Sequence, residues 1–280
     1  MKIPFGLHII RFDGGLGNQM FEYAFYQALR HKHPFALYGF DTYASDVEHY
    51  GYELDKIFHI NSSRERKRHA FLRKLERHHY VTFTEKKEKE FWKFDAMMFA
   101  ERWQPHVYVG YFQTEKYFAP IQQKIRKAFT FRKELLSEKT RLLAESIKDK
   151  QAISLHIRRG DYLGIPSMHT IDMSYYDSAV ELLRTMHGGG QLLVFADDPE
   201  WAKENVNIPN RVVVDWNIGD NSWQDMFLMT QCKHNIIANS SFSWWGAWLN
   251  SNPNKIVIAP KKWREDEIES DIIPETWIRL

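Results

Sequence analysis

Residues 152–161 read AISLHIRRGD, and the reading of this stretch decides the fold. Residues 152–157 are apolar enough for a buried strand, and polarity arrives at once in Arg158, Arg159, Gly160 and Asp161. The same alternation runs outward from it. A helix is predicted over 173–187, stopped by three glycines at 188–190, followed by a strand at 192–196 and a helix at 199–205. Then come a strand at 212–214, a helix at 223–232, a strand at 235–238, a helix at 242–249 and a strand at 256–258. Strands separated by single helices are βαβ units, and they predict a parallel sheet.

The first half repeats the theme more loosely. Residues 7–12 read as a strand, 14–17 (GGLG) as a glycine turn, and a helix starts near Asn18 with Met20, Phe21, Ala24, Phe25 and Ala28 on one stripe. Residues 35–40 suit a second strand, 64–77 a basic helix, and 107–112 (VYVGYF) another strand. Helical runs follow near 115–128 and 134–149, the latter polar enough to serve as a connector. The expected architecture is α/β with two Rossmann-like domains, 1–150 and 151–280, facing a cleft. No internal repeat or low-complexity tract interrupts it.

Composition excludes several classes. At 280 residues, 44% hydrophobic and 26% charged, the chain is neither disordered nor short of core. A net charge of +2 argues against a nucleic-acid partner, but the halves differ: residues 1–150 hold 27 Lys/Arg against 19 Asp/Glu, and 151–280 hold 11 against 17. That asymmetry suggests two domains with different partners. A single cysteine, Cys232, excludes an internal disulfide and any Cys-rich zinc module. The first twenty residues lack a signal-peptide core and no apolar run is long enough to span a bilayer, so the expected location is cytoplasmic. The N-x-S sequences at Asn61 and Asn239 therefore carry little weight as glycosylation sites.

Open parallel sheets bind ligands beyond the carboxyl ends of their strands, so the polar residues there are the candidates. Four clusters qualify: Asp13 to Gln19, His156 to Asp161, Asp197 with Asp198, and Asn239 to Ser243. The glycine loop lacks the third glycine of G-x-G-x-x-G, since Met20 stands there, and lacks a P-loop lysine. It is either a tight turn or a helix N-terminus that approaches an anion, with Asn18 and Gln19 assisting. Arg158 and Arg159 suit a phosphate, because guanidinium donors are planar and permanently charged; Asp161 would orient one of them. A surface ion-pair cluster is the plain alternative. Asn239, Ser240, Ser241 and Phe242 stand before a helix, as a simple cap or as a diphosphate cradle. Trp244, Trp245 and Trp248 sit at helical spacing and read as core. Asp197 and Asp198 lack nearby ligand partners, so no metal site is expected. Seven Lys/Arg against two acids in 64–77, interleaved with Phe71, Leu72 and Leu75, give a solvated helix face or a contact with anionic membrane.

Taken together, GGLGNQMFEYAFYQAL, HIRRGDYLG, FADDPEW, NSSFSWWGAWL and the late PKKW resemble the α-1,2-fucosyltransferases of glycosyltransferase family 11. The resemblance runs from about residue 8 to the C-terminus and is thin between 40 and 105, where acceptor contacts are expected. It implies a GT-B fold, a GDP-β-L-fucose donor bound by 151–280, a galactose-containing acceptor on the side of 1–150, and inverting transfer with no cofactor or metal. It also implies roles. Arg158 resembles the arginine on the donor β-phosphate, His156 a contact at the guanine end, and Asp225 the carboxylate that reads guanine N–H groups. Ser240, Ser241 and Phe242 match a phosphate-side loop. Gly15, Gly17 and Asn18 match a loop that closes over the diphosphate. Asp13 departs from the pattern, which has an apolar residue there.

Without a metal, arginine and helix N–H groups must stabilise the departing diphosphate. The acceptor hydroxyl needs a base, for which Asp13, Asp161 and His169 are the candidates. Two other classes compete: a nicotinamide-dependent Rossmann oxidoreductase, disfavoured by Met20 at the third glycine position, and a non-catalytic nucleotide- or sugar-binding protein.

Overall fold

The computed structural model describes residues 6–47, 50–100, 103–164, 170–264, 266–267 and 269–280, without the side chains of Val47, Asp161 and Leu163. Two compact units make up the chain, Met1–Arg132 and Lys133–Leu280.

In the first unit, β1 (Leu7–Arg11) enters α1 (Leu16–Lys32) and returns to β2 (Leu37–Asp41). Short helices α2 (Tyr43–Val47) and α3 (Leu54–Ile57) lead to α4 (Ser63–Arg77), β3 (Thr84–Lys87), β4 (His106–Val109) and α5 (Gln122–Ala128). The four strands are parallel, in the order β2-β1-β4-β3. Parallel sheets need both faces covered, and β1 obliges: Leu7, His8, Ile9 and Ile10 are all buried. Helix α1 is buried nearly all round, from Leu16 to Leu29, with Asn18 the one half-buried residue in that run. It starts two residues before the expected Asn18, with Gly15 as its N-cap.

Three elements here differ from expectation for physical reasons. Strand β3 is TEKK, a charged edge strand; its pattern carries no apolar signal because charge is what protects a sheet edge from further pairing. The run expected as one helix over 115–128 is two 3₁₀ turns, Glu115–Tyr117 and Ala119–Ile121, before α5 begins. Pro120 lies in the second turn, where its missing N–H is harmless, but it could not continue a longer helix through that point. The VYVGYF strand ends at Val109, and Gly110 begins a loop.

The second unit is close to its sequence reading. After α6 (Glu138–Ile147) come β5 (Ala152–Ile157), α7 (Met173–His187), β6 (Gln191–Ala196), α8 (Pro199–Asn205) and β7 (Arg211–Val214). Then follow α9 (Trp223–Gln231), β8 (His234–Ile236), α10 (Ser241–Leu249), β9 (Val257–Ala259) and β10 (Ile278–Arg279). All six strands are parallel, in the order β10-β9-β8-β5-β6-β7. Asp172 caps α7 through the amide of Ser174, and Gly188, at φ 76, closes it in the left-handed conformation. Ile153, Leu155 and Ile157 of β5 share a core with Tyr176, Val180 and Leu183 of α7, so Ser154 and His156 face the other side of the sheet. Trp244, Trp245 and Trp248 are core, as expected, and the Trp244 indole donates to the Ile272 carbonyl at 2.7 Å.

Helix α6 belongs to this unit and is no free connector. The Ser137 amide donates to Gln224 Oε1 at 2.8 Å, and the Thr140 hydroxyl to Asn217 Oδ1 at 3.0 Å. The division therefore falls at 132/133, ahead of the expected 150/151. The α/β class and the two Rossmann-like units are both present.

Candidate active site

A parallel sheet opens a crevice where its strand order reverses direction, at the carboxyl edge. In the second unit the chain runs β5-β6-β7 one way and β8-β9-β10 the other, so the reversal lies between β5 and β8. His156 and Arg158 stand at the end of β5, and Asn239 to Phe242 at the end of β8. The two strongest sequence clusters thus flank one switch point.

Arg158 is held by Asp197, from the end of β6, with Nε 3.4 Å from the carboxylate. The same carboxylate accepts from the Arg159 amide at 3.0 Å and the Gly160 amide at 2.8 Å. Asp197 therefore clamps the backbone of the arginine turn as well as the guanidinium, which the sequence reading had given to Asp161. The Asp161 backbone lies in a 3₁₀ turn, 161–164, its side chain falls outside the described residues, and His169 lies outside them altogether. Asp198 turns the other way and caps α8 through the Trp201 amide at 3.0 Å. Arg159 leaves the cluster to lie over the Trp201 ring, 4.2 Å from its centroid. Of the two arginines, only Arg158 sits with the carboxylate at the strand ends.

His156 is buried, with its ring 5.7 Å from that of Phe242. Burial, and then the Arg158 charge, push its pKa down to about 3, so the imidazole is neutral at physiological pH. Its Nδ1 has no hydrogen-bond partner among the described residues. Opposite it, the nine-residue α10 starts at Ser241 with no side-chain hydrogen bond at its N-cap, Ser240. A helix N-terminus and an arginine at one switch point suit an anion. The Tyr162 hydroxyl donates to the Asn239 carbonyl at 2.9 Å and ties the turn after β5 to this loop.

Asp225, in the first turn of α9, is 8% exposed. Burial raises its pKa to about 8, partly offset by the Asn217 amide, which donates to Oδ1 at 2.8 Å. Asn217 is in turn held by Thr140. Asp225 is visible in the sequence through the resemblance, but Thr140 and Asn217 are not, because an asparagine in a polar loop gives no periodic signal. A buried carboxyl with one partner is suited to take ligand N–H donors.

The first unit has its own switch point, between β1 and β4. Gly14 takes φ 73, which favours glycine, and Gly15 caps α1. Helix α1 has no side-chain cap and no acid in its first turn. Beneath the loop lies fully buried Glu22, which accepts from the Asp13 amide at 3.0 Å; burial holds its pKa well above the usual range. Gln19 does not face a ligand. It is fully buried, its amide donates to the Gly14 and Gly51 carbonyls at 3.0 and 2.9 Å, and its oxygen accepts from the Glu53 amide. Its work is to staple the loop to the chain around 51–53. The Asn18 carbonyl oxygen, by contrast, accepts from the Gln113 amide at 2.8 Å, across the switch point.

Among the described residues, no three His, Cys, Asp or Glu side chains gather as a metal-holding group. No helix among them is long and apolar enough to cross a membrane.

Two Rossmann-like units, one with Arg158 and the N-terminus of α10 at a shared switch point, define an α/β protein with a ligand crevice at its strand ends. Residues 4–280 match the family described as glycosyl transferase family 11, and the chain belongs to it. It is a glycosyltransferase, which removes the oxidoreductase reading. The O-antigen biosynthesis glycosyltransferase WbnK of Escherichia coli is 32% identical, the match covering 96% of this chain and 98% of that one. An alpha-1,2-colitosyltransferase of Escherichia coli is 31% identical, over 97% and 98%. Human galactoside alpha-(1,2)-fucosyltransferase 1 is 28% identical over 48% of this chain and 40% of its own.

Proposed function

We propose that the protein transfers L-fucose from GDP-β-L-fucose to a galactoside hydroxyl, with inversion, forming an α-1,2 linkage in surface-glycan synthesis. One observation carries the reading: Arg158 and the N-terminus of α10 flank the same switch point. The acceptor oxygen forms a bond to the anomeric carbon as the bond from that carbon to the β-phosphate oxygen breaks. Charge grows on the departing diphosphate, and Arg158, Ser240, Ser241 and Phe242 stabilise it without a metal. His156 and Asp225 serve the guanine end. Gly15, Gly17 and Asn18, which the resemblance sets in a loop over the diphosphate, are assigned instead to the sugar end of the donor, and the first unit takes the acceptor. Asp13, half-buried with its amide fixed by Glu22, is assigned as the base that removes the acceptor proton.

The test is incubation with GDP-fucose and lactose, with GDP-colitose as a competing donor. GDP release together with an α-1,2-fucosylated product supports the reading. Tight GDP binding with no turnover on a glycan panel makes the protein a binder, and exclusive use of GDP-colitose reassigns the sugar.

A membrane contact is part of the proposal. Leu72 buries one face of α4, and Arg73 pairs with Asp41 at 3.6 Å. Arg64, Lys67, Lys74 and Arg77 remain exposed around Phe71, which is 53% exposed, with Tyr80 beyond. Each such cation contributes about 1 kcal/mol beside anionic lipid. Vesicle flotation of wild type and a variant with these four neutralised checks it; equal partitioning removes the membrane.

A further inference from the structure

The first unit's switch point holds a polar atom that the folded chain leaves unanswered. Gln113 is 6% exposed; its amide nitrogen donates to Asn18 Oδ1 at 2.8 Å, while its Oε1 has no hydrogen-bond partner among the described residues. A buried carbonyl oxygen left in that state costs more than most side-chain hydrogen bonds gain, so its presence calls for a ligand.

The segment that delivers Gln113 is built with care. Phe112, just before it, is held at φ 52, a strained conformation for a residue with a side chain. The Phe112 amide donates to the buried carboxylate of Glu88 at 2.8 Å, and the Phe112 ring stacks on Phe25 at 3.8 Å. The Tyr117 hydroxyl donates to the other oxygen of Glu88 at 2.9 Å. Gly110 has to be glycine, since a Cβ there would come 2.6 Å from the Glu88 side chain. Glu88 thus props a strained turn whose product is one carboxamide, fixed against the glycine loop.

The free atom is an acceptor, and this selects the ligand. A diphosphate has only acceptors to offer and would be repelled by Oε1; a sugar hydroxyl donates. We infer that Gln113 Oε1, locked against Asn18 at the β1–β4 switch point, accepts a hydrogen bond from a sugar hydroxyl and is a specificity residue of this unit. The inference deepens the proposed function and rests on it for the two sugars tested, lactose as acceptor and L-fucose as the donor's sugar.

Saturation-transfer NMR with lactose and with L-fucose reads binding without turnover. Wild type should transfer saturation to one of them, and Gln113→Met, which keeps the shape and loses the acceptor, should abolish it. Gln113→Glu keeps an acceptor oxygen, and Asn18 can turn its amide over to donate to it, so this variant should retain the signal; it also guards against a misfolded Met variant. In steady-state assays Gln113→Met should raise one sugar-dependent KM about tenfold with the Kd for GDP unchanged. A rise in the lactose KM assigns the acceptor, and a rise in the GDP-fucose KM assigns the donor sugar. Equal saturation in wild type and Gln113→Met, no saturation in wild type, or a parallel change in GDP affinity overturns the inference. Sugar binding through Gln113 in a wild type that transfers no fucose sinks the proposed function and leaves this site standing.

Discussion

The two switch points are topologically alike and chemically opposite. In the second unit the strand ends present a guanidinium, a helix N-terminus and a neutral imidazole. In the first they present Asp13, two carboxamides in contact, and beneath them the buried acids Glu22 and Glu88. On the proposed reading the first set suits a diphosphate, and the acceptor oxygens of the second suit sugar hydroxyls. On that reading the same fold, used twice, is divided by electrostatics into an anion side and a hydroxyl side.

The largest test of that division is Arg158→Ala. Its guanidinium should contribute most as charge builds on the leaving group, so kcat should fall by on the order of 10²–10³, with little rescue by Arg158→Lys. A loss of only a few-fold would remove the anion side from the chemistry.

Asp225 sharpens the comparison through pH. Because burial holds its pKa at about 8, the free protein binds a proton there that guanine N–H donors must displace. GDP affinity should therefore fall as pH drops below 8, by up to about tenfold per unit, as read by calorimetry. Asp225→Asn should flatten that profile, raise the donor KM and relax the preference for GDP over ADP or UDP. A pH-independent Kd in wild type would contradict the assignment.

The first unit should answer through stability. Burial raises Glu88 to about 7 from an ordinary 4.5. The folded state therefore holds the proton more tightly, and the associated stability is present below pH 4.5 and lost as pH rises through 7. The full effect is on the order of 3 kcal/mol. Thermal melts across that window should show Tm declining in wild type and a shallower decline in Glu88→Gln, while GDP affinity in the variant stays within about twofold of wild type. A parallel loss of GDP binding would show that the two sides are not separable.

What was legible in the sequence follows the same divide. Helices α7 and α8 could be placed to the residue because Asp172, Gly188, Asp198 and Pro199 punctuate them. Arg158 and the Ser240–Phe242 loop were visible because charge and small hydroxyls at strand ends stand out against apolar runs. The first unit hid its site in buried polar side chains. Glu22 lies within a helix and reads there as surface, Gln113 follows a strand that stops early, and Gln19 looks like a ligand contact while serving as a staple. Burial of a single carboxylate or amide is a property of packing and leaves no period in the sequence. Asp197 reads in the sequence as half of a strand-end pair, and adjacency to Asp198 says nothing about which backbone amides it will meet.

The smallest expected effect is that of chelation. With Arg158 and α10 stabilising the leaving group, EDTA should leave kcat unchanged. Loss of activity restored by Mn²⁺ would return Asp197 and Asp198 to consideration as ligands.

The division itself is tested most directly by amide NMR of the full chain on addition of GDP, which carries the diphosphate and base but no transferable sugar. The amides of Arg158, Ser241, Phe242 and Ser243 should shift, with Asp225 close behind, while those of Asn18 and of 110–114 stay within the noise until GDP-fucose or lactose is added. Shifts at Asn18 and Gln113 on GDP alone, with the α10 N-terminus silent, would contradict the account.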